Sequence, residues 1–271
     1  MNGGSGAGSR GGGLAAYSVF YLVFLYVPVL FLPLFSFNDS FYITFPLNGF
    51  TLRWYERLLG NDALLQALTN SLKVAAVVAV ISTILGTMAA RAFTRYRFTG
   101  RKPMLGLMVL PLVVPGIILG IALLVMTNWA GIPLSLFTIG AAHVLITTPF
   151  ATFVMISRLD GFDAQIEEAS RDLGESGWMT FWRVTFPLSY PGIVASLLLT
   201  FTESFDEFIL AFFLAGDEAT LPLFIWSQLR FPRNLPVVLA LGACILMASF
   251  IVIAFAEWVR RRGAKARDTE I

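Results

Sequence analysis

Residues 162–187, FDAQIEEASRDLGESGWMTFWRVTFP, form the longest polar run between two strongly apolar segments of the chain. The run reads as helix. Phe162, Ile166, Ala169 and Leu173 recur at spacings of four, three and four, which stacks them on one helix face. Glu168, Asp172 and Glu175 fall on another face, and Glu167 precedes Arg171 by four residues, the more favourable order for a helical ion pair. Gly174 and Gly177 weaken the helix, and Trp178, Phe181 and Trp182 make a second apolar patch ahead of Pro187. The expectation is two short amphipathic helices with a bend between them. They would lie along a membrane surface and show a charged ridge to solvent or to a partner.

The flanking composition supplies the membrane. Of 271 residues, 57% are hydrophobic and 13% charged, with a mean hydropathy of +0.76, whereas a soluble domain carries about 25% charge. The chain is therefore read as a polytopic membrane protein. Six segments are long enough to span a hydrocarbon core, which takes about 20 residues: 14–37, 72–93, 104–126, 136–156, 193–214 and 237–258. Pro28 and Pro33 in the first and Pro111 and Pro115 in the third are expected to kink those helices, neighbouring helices satisfying the freed carbonyls. Glycine-rich residues 1–13 read as a disordered cytoplasmic tail, 14–262 as one six-span domain and 263–271 as a second cytoplasmic tail. The first apolar run is too long for a signal-peptide core and reads as a retained anchor.

Orientation follows from the placement of Lys and Arg. Arg91, Arg95, Arg97, Arg101 and Lys102 crowd the second connection with no acid among them. Arg158, Arg171 and Arg183 lie in the fourth connection, and Arg260, Arg261, Arg262, Lys265 and Arg267 follow the last span. The opposite side has Arg53, Arg57, Arg230 and Arg233, with Lys73 at its edge. Both termini and the 162–187 run are thus expected on the cytoplasmic side. In the first external connection Trp54, Tyr55 and Leu58 suggest a short interfacial helix with its aromatics at headgroup level. The last external connection, 217–236, reads as a rigid loop or as a contact for a soluble partner.

No enzymatic constellation emerges. The chain lacks a G-x-x-x-x-G-K-[ST] phosphate loop. His143 is the single histidine, without a second histidine or a thiol near it for a metal site, and reads as a packing residue. The single cysteine, Cys244, lies in an apolar run and reads as a packed thiol. The fifth span differs, because TFTESFDEFILAFF brings Glu203, Asp206 and Glu207 into an apolar setting. Offsets of three and four place the carboxylates near one face, and entry at Ile193 puts Glu203 about 15 Å deep, near the midplane. A charge there costs at least ~2.5–3.5 kcal/mol, so these groups face a cavity, pair or are protonated. One reading is an interhelical hydrogen-bond cluster. The other is a cation-attracting surface in a translocation path, with Phe205, Phe208 and Phe212 available for cation–π contact.

Glu168-Ala169-Ser170, three residues, Gly174, nine residues and Val184-Thr185-Phe186-Pro187 resembles the EAA loop, E-A-A-x3-G-x9-I-x-L-P, of permease subunits in bacterial ATP-binding cassette importers. Ser170 replaces the second Ala, and Val184 and Phe186 replace Ile and Leu, with the spacing intact. The likeness extends to PLVVPG at 111–116 and to SFDEFILAFF at 204–213 followed by TLPLFIWSQLRF at 220–231. Together these resemble the permeases of spermidine/putrescine and related polyamine or opine importers, over most of 14–262.

The resemblance implies an all-α integral membrane protein of the type I importer, MetI-like, fold in the bacterial inner membrane. It implies a second permease, usually a different chain, two cytoplasmic ATPase subunits and an external binding protein. Glu168, Ala169, Ser170 and Gly174 would belong to the coupling helix that docks into an ATPase groove. ATP and Mg would be bound by the ATPase partners, this chain holding no cofactor and moving its solute by alternating access. Polyamines are the implied solute, although the family also includes importers of other solutes. A competing class is an ion-coupled secondary transporter with the span-five carboxylates as relays, which predicts transport by this chain alone. A membrane-embedded enzyme lacks the nucleophile or metal cluster it would need.

Overall fold

The structure, a computed structural model, describes residues 8–163 and 165–268, without the side chains of 8–12, 252, 253 and 255–268. It is all-α: among the described residues extended backbone pairs once, in an isolated bridge between Asn38 and Phe50. α1 (Gly8–Ser36) is followed by the short α2 (Arg53–Leu59) and the long α3 (Asp62–Arg95). α4 (Arg101–Val113), α5 (Gly116–Trp129) and α6 (Leu136–Leu159) come next, and then α7 (Gln165–Asp172) and the one-turn α8 (Gly177–Thr180). A π-helical turn, Phe181–Thr185, leads into α9 (Phe186–Asp206). α10 (Ile209–Leu214), α11 (Leu221–Leu229), a 3₁₀ turn and α12 (Leu235–Asp268) complete the chain. Among the described residues five helices are long and apolar enough to cross a membrane, or six crossings if the bent pair α4–α5 is one span.

The chain divides into two compact units, one made of Met1–Asp62 with Ile225–Ile271 and the other of Ala63–Phe224. In the first, α12 packs along α1 and α2. Trp54 is fully buried, its indole Nε1 donating to the Asn38 carbonyl at 2.8 Å, and Asn38 Oδ1 accepts from the Asn48 amide at 2.9 Å. Arg53 lies over the Trp54 ring at 4.2 Å and pairs with Asp39 at 2.7 Å. The expected helix is therefore present, with Trp54 and Leu58 turned inward against the chain. The Asn38 carbonyl is the reason, since an indole N–H with an acceptor lets the whole ring be buried.

Helix α1 begins at Gly8, inside the stretch expected to be a disordered tail, because a helix already nucleated propagates at one hydrogen bond per residue. Residues 1–7 lie outside the described residues. α12 likewise continues through 263–268, with 269–271 outside the described residues. Cys244, expected to be packed, is exposed on α12.

In the second unit α6 packs along α9, α10 packs on α5 and α6, and α3 meets α6 at Ser82 and Gly86. Its apolar centre comprises Val78, Ile139, Leu210, Ala211 and Leu214. Small and hydroxyl side chains bring the long helices together, as in membrane bundles generally. Ser82 and Thr147 hydroxyls lie 2.7 Å apart, and Ser196 donates to the Ala151 carbonyl at 3.4 Å. At Gly86 an added Cβ would lie 2.6 Å from that of Ala151, so only glycine permits this approach of α3 to α6. The third span is broken rather than kinked: α4 and α5 meet at 100°. Val114 is extended there (ψ 128°), as the residue before a proline prefers.

The fifth span departs further from the expected 193–214. Gly177–Asp206 passes as one span, α9 ends at Asp206, and the backbone leaves helical geometry at Glu207 before α10 begins. The patch of Trp178, Phe181 and Trp182 thus follows the bend as expected, and α8 and the π-helical turn run it straight into α9.

Candidate functional site: a coupling element and an acidic helix break

α7 is set by its two ends. At the start, Asp163 Oδ1 accepts from the Gln165 amide at 2.9 Å. At the end, Gly174 takes φ +92°, its amide donating to the Arg171 carbonyl at 2.9 Å while the Glu175 amide reaches the Ser170 carbonyl at 3.3 Å. That double closure is a Schellman stop, which places glycine in the left-handed region. Ser176 Oγ then accepts from the Met179 amide to cap α8, and the Ser170 and Thr180 hydroxyls meet at 3.3 Å. An ion pair between Glu175 and Arg183 crosses the same corner.

The face that α7 turns to its own chain is not the apolar one. Glu167 is 2% exposed and accepts from Arg95 Nε at 3.3 Å, with Arg171 Nη2 3.8 Å from its other oxygen. Arg95 also donates to the Leu159 carbonyl at 3.0 Å and lies 4.9 Å over the Phe162 ring. This one guanidinium ties α7 to the ends of α3 and α6. Ile166, Leu173 and Trp178 are meanwhile exposed, Leu173 by 87%, and so are Glu168 and Ala169, while Ser170 is half-buried. Of the apolar stripe read from the sequence, Ile166, Ala169 and Leu173 point away from the chain, while Phe162 packs against Ala90, Met155 and Leu159. The expected Glu167–Arg171 pair is present, with its acid buried.

The acidic cluster is divided by the break. Glu203 and Asp206, three apart on α9, are both exposed, and among the described residues neither carboxylate has a hydrogen bond or ion pair. Glu207 is half-buried, and its Oε1 accepts from the Leu210 amide at 3.0 Å, capping α10. Phe205 stacks on Phe201 with centroids 6.0 Å apart, and Phe208 meets Phe212 at 5.7 Å. Ser204, between the acids, is buried and bonds His143 Nδ1 at 2.9 Å. His143 is thus a packing residue, and its level on α6 locates the acids. At ~1.5 Å per residue it lies about 10 Å from the Leu136 end of α6 and about 24 Å from the Leu159 end. The acids therefore flank a residue that meets α6 in its Leu136 half.

Sequence reasoning missed Arg95 as the partner of Glu167. No local signal links residues 72 apart, and Arg95 is one of five basic residues in its connection. Among the described residues no group of His, Cys, Asp and Glu could hold a metal ion.

Residues 82–265 match the sequence family described as binding-protein-dependent transport system inner membrane component. Over 265 residues the chain is 33% identical to the spermidine/putrescine transport system permease protein PotC of Escherichia coli (strain K12), with 97% of each chain covered. Over 256 residues it is 38% identical to the putrescine transport system permease protein PotI of the same strain, covering 92% of this chain and 90% of the relative. A solved bacterial ABC transporter involved in the import of the acidic polysaccharide alginate aligns over 96% of this chain and 99% of its own. Its TM-score is 0.72 at 18% identity, a likeness of fold.

Proposed function

We propose, from the premise that this chain belongs to the binding-protein-dependent transport system inner membrane component family, that it moves polyamines or related cationic solutes as the permease subunit of an ATP-binding cassette importer. The observation that carries the solute class is the exposed pair Glu203 and Asp206 beside the helix break. A carboxylate facing lipid would be costly, so the pair faces a water-filled path or a partner subunit. In such a path it attracts amines and repels oxyanions. The relatives named for spermidine and putrescine support the same class.

Coupling is assigned to α7 and α8. Their outward Ile166 and Leu173, edged by Glu168, have the form of a helix made to lie in a groove on a partner. ATPase subunits would supply that groove and bind ATP and Mg, since the chain has no phosphate loop. When the ATPase pair closes on ATP, α7 moves as a lever. Arg95 passes the displacement to the ends of α3 and α6, and the path changes the side to which it opens. A second permease completes the path and an external binding protein delivers the solute. The α7 end of the bundle and both chain termini are cytoplasmic in this scheme.

The test is uptake of labelled spermidine or putrescine by the assembled importer, normalised to complex in the membrane. Asp206→Asn and Glu203→Gln are each expected to lower uptake about ten-fold at low solute, as loss of a hydrogen bond to a charged group does. Unchanged normalised uptake in both variants would remove the acidic pair from the path. Gradient-driven transport by this chain alone in liposomes would overturn the importer reading itself.

A further inference from the structure

Between α3 and the start of the fifth span the second unit has an open groove of about 430 Å³. Ile84, Thr87 and Met88 of α3 form one wall, and Trp178, Trp182 and Phe186 form the other. Ile84, Met88, Trp178 and Trp182 are all more than 40% exposed, so the walls carry unpartnered apolar surface. Arg91 also lines the groove, near the end of α3, with its guanidinium 5.0 Å over the Phe181 ring. Its Nε is buried without an acceptor, and among the described residues Arg91 has no ion-pair partner. No acidic residue lines the groove, and Arg97, Arg101 and Lys102 follow with no acid among them.

These features suit a ligand with an apolar body and a single anionic acceptor. A buried N–H without an acceptor is an unfilled demand for one. Tryptophans at a helix end mark headgroup level, and basic pockets between spans recognise anionic headgroups. We propose that this groove seats an anionic phospholipid, an acyl chain lying along Ile84, Met88 and Trp182 and the phosphate accepting from Arg91. The π-helical turn Phe181–Thr185 borders the groove through Phe181 and Trp182, so the lipid braces the joint between the coupling element and α9. The proposal depends on the chain spanning a membrane and is independent of the solute.

The experiment uses the assembled importer in nanodiscs and reads tryptophan fluorescence. The groove signal is the difference between the complex and its Trp178→Phe/Trp182→Phe variant. Brominated phosphatidylglycerol is expected to quench that signal more than brominated phosphatidylcholine at equal mole fraction. Arg91→Gln should reduce the preference about five-fold, the amount expected for one basic side chain at an anionic surface, and Arg91→Lys should retain most of it. Equal quenching of the groove signal by the two lipids overturns the proposal, a comparison that decides even where an Arg91 variant does not assemble. So does an undiminished preference in Arg91→Gln. Absence of quenching by either lipid overturns it too, because a protein segment from a partner then fills the groove.

Discussion

Glu207 and Asp206 are adjacent in sequence and differ in what their carboxylates do. Glu207 accepts the Leu210 amide and starts α10, whereas Asp206 is exposed and without a side-chain partner among the described residues. Replacing a capping acceptor by alanine costs about 1 kcal/mol. Glu207→Ala is therefore expected to lower the thermal midpoint and membrane abundance of the complex while uptake per assembled complex stays near wild type. A drop in normalised uptake equal to that of Asp206→Asn would show that Glu207 also meets the solute. The three acids were legible as a group, because apolar surroundings make them conspicuous. Their division was not, since no glycine or proline in SFDEF announces that the helix stops there. Trp54 teaches the same point: its aromatic character was readable, but its burial depends on a carbonyl 16 residues away.

At the scale of the element, the stripe and the exposed ridge of Glu168 and Asp172 were legible in α7, whereas the inward packing of Glu167 was not. Periodicity locates a face but is silent on whether that face meets the same chain or another. Here the chain buries Glu167 and leaves Ile166 and Leu173 outside, an arrangement that makes sense when the missing surface belongs to a partner. The bend was better determined, because its glycine is required by conformation. Gly174 stands at φ +92° with nothing within 4 Å of an added Cβ, so the penalty for a side chain is wholly in the backbone. That penalty is about 1–2 kcal/mol for most residues and smaller for asparagine. Gly174→Val is expected to cut solute moved per ATP hydrolysed several-fold, and Gly174→Asn to keep most of it. Measuring both rates on one preparation checks this, and a wild-type ratio in Gly174→Val would make the loop a passive connection.

For the whole molecule, the all-α character and the crossings were legible from composition and length, and the proline pair of the third span marked a real discontinuity. The start of the fifth span was not. Trp178, Phe181 and Trp182 form the expected patch, but nothing in the sequence announces the π-helical turn that joins it to α9. The side on which each connection lies rests on the proposed orientation, which an impermeant thiol reagent can test. In a background with Cys244 replaced by serine, Asn61→Cys is expected to label from outside intact cells and Thr99→Cys only after permeabilisation. The reverse pattern would invert the molecule. Part of the basic bias is already matched within the protein, since Arg95 and Arg171 attend Glu167 and Arg183 attends Glu175. Arg97, Arg101 and Lys102, without an ion pair among the described residues, therefore weigh most in the proposed orientation.

The break at Glu207 has an electrical consequence of its own. A helix that ends at Asp206 carries about half an elementary negative charge at its C-terminus, and one that begins at Ile209 carries a similar positive charge at its start. The carboxylate of Glu207 lies on that positive start and compensates it. The junction is left with the negative pole of α9 beside Glu203 and Asp206, so backbone and side chains carry the same sign. A polyamine arriving there would be drawn by peptide dipoles as well as by carboxylates, and no single amide replacement would bring the junction to neutrality.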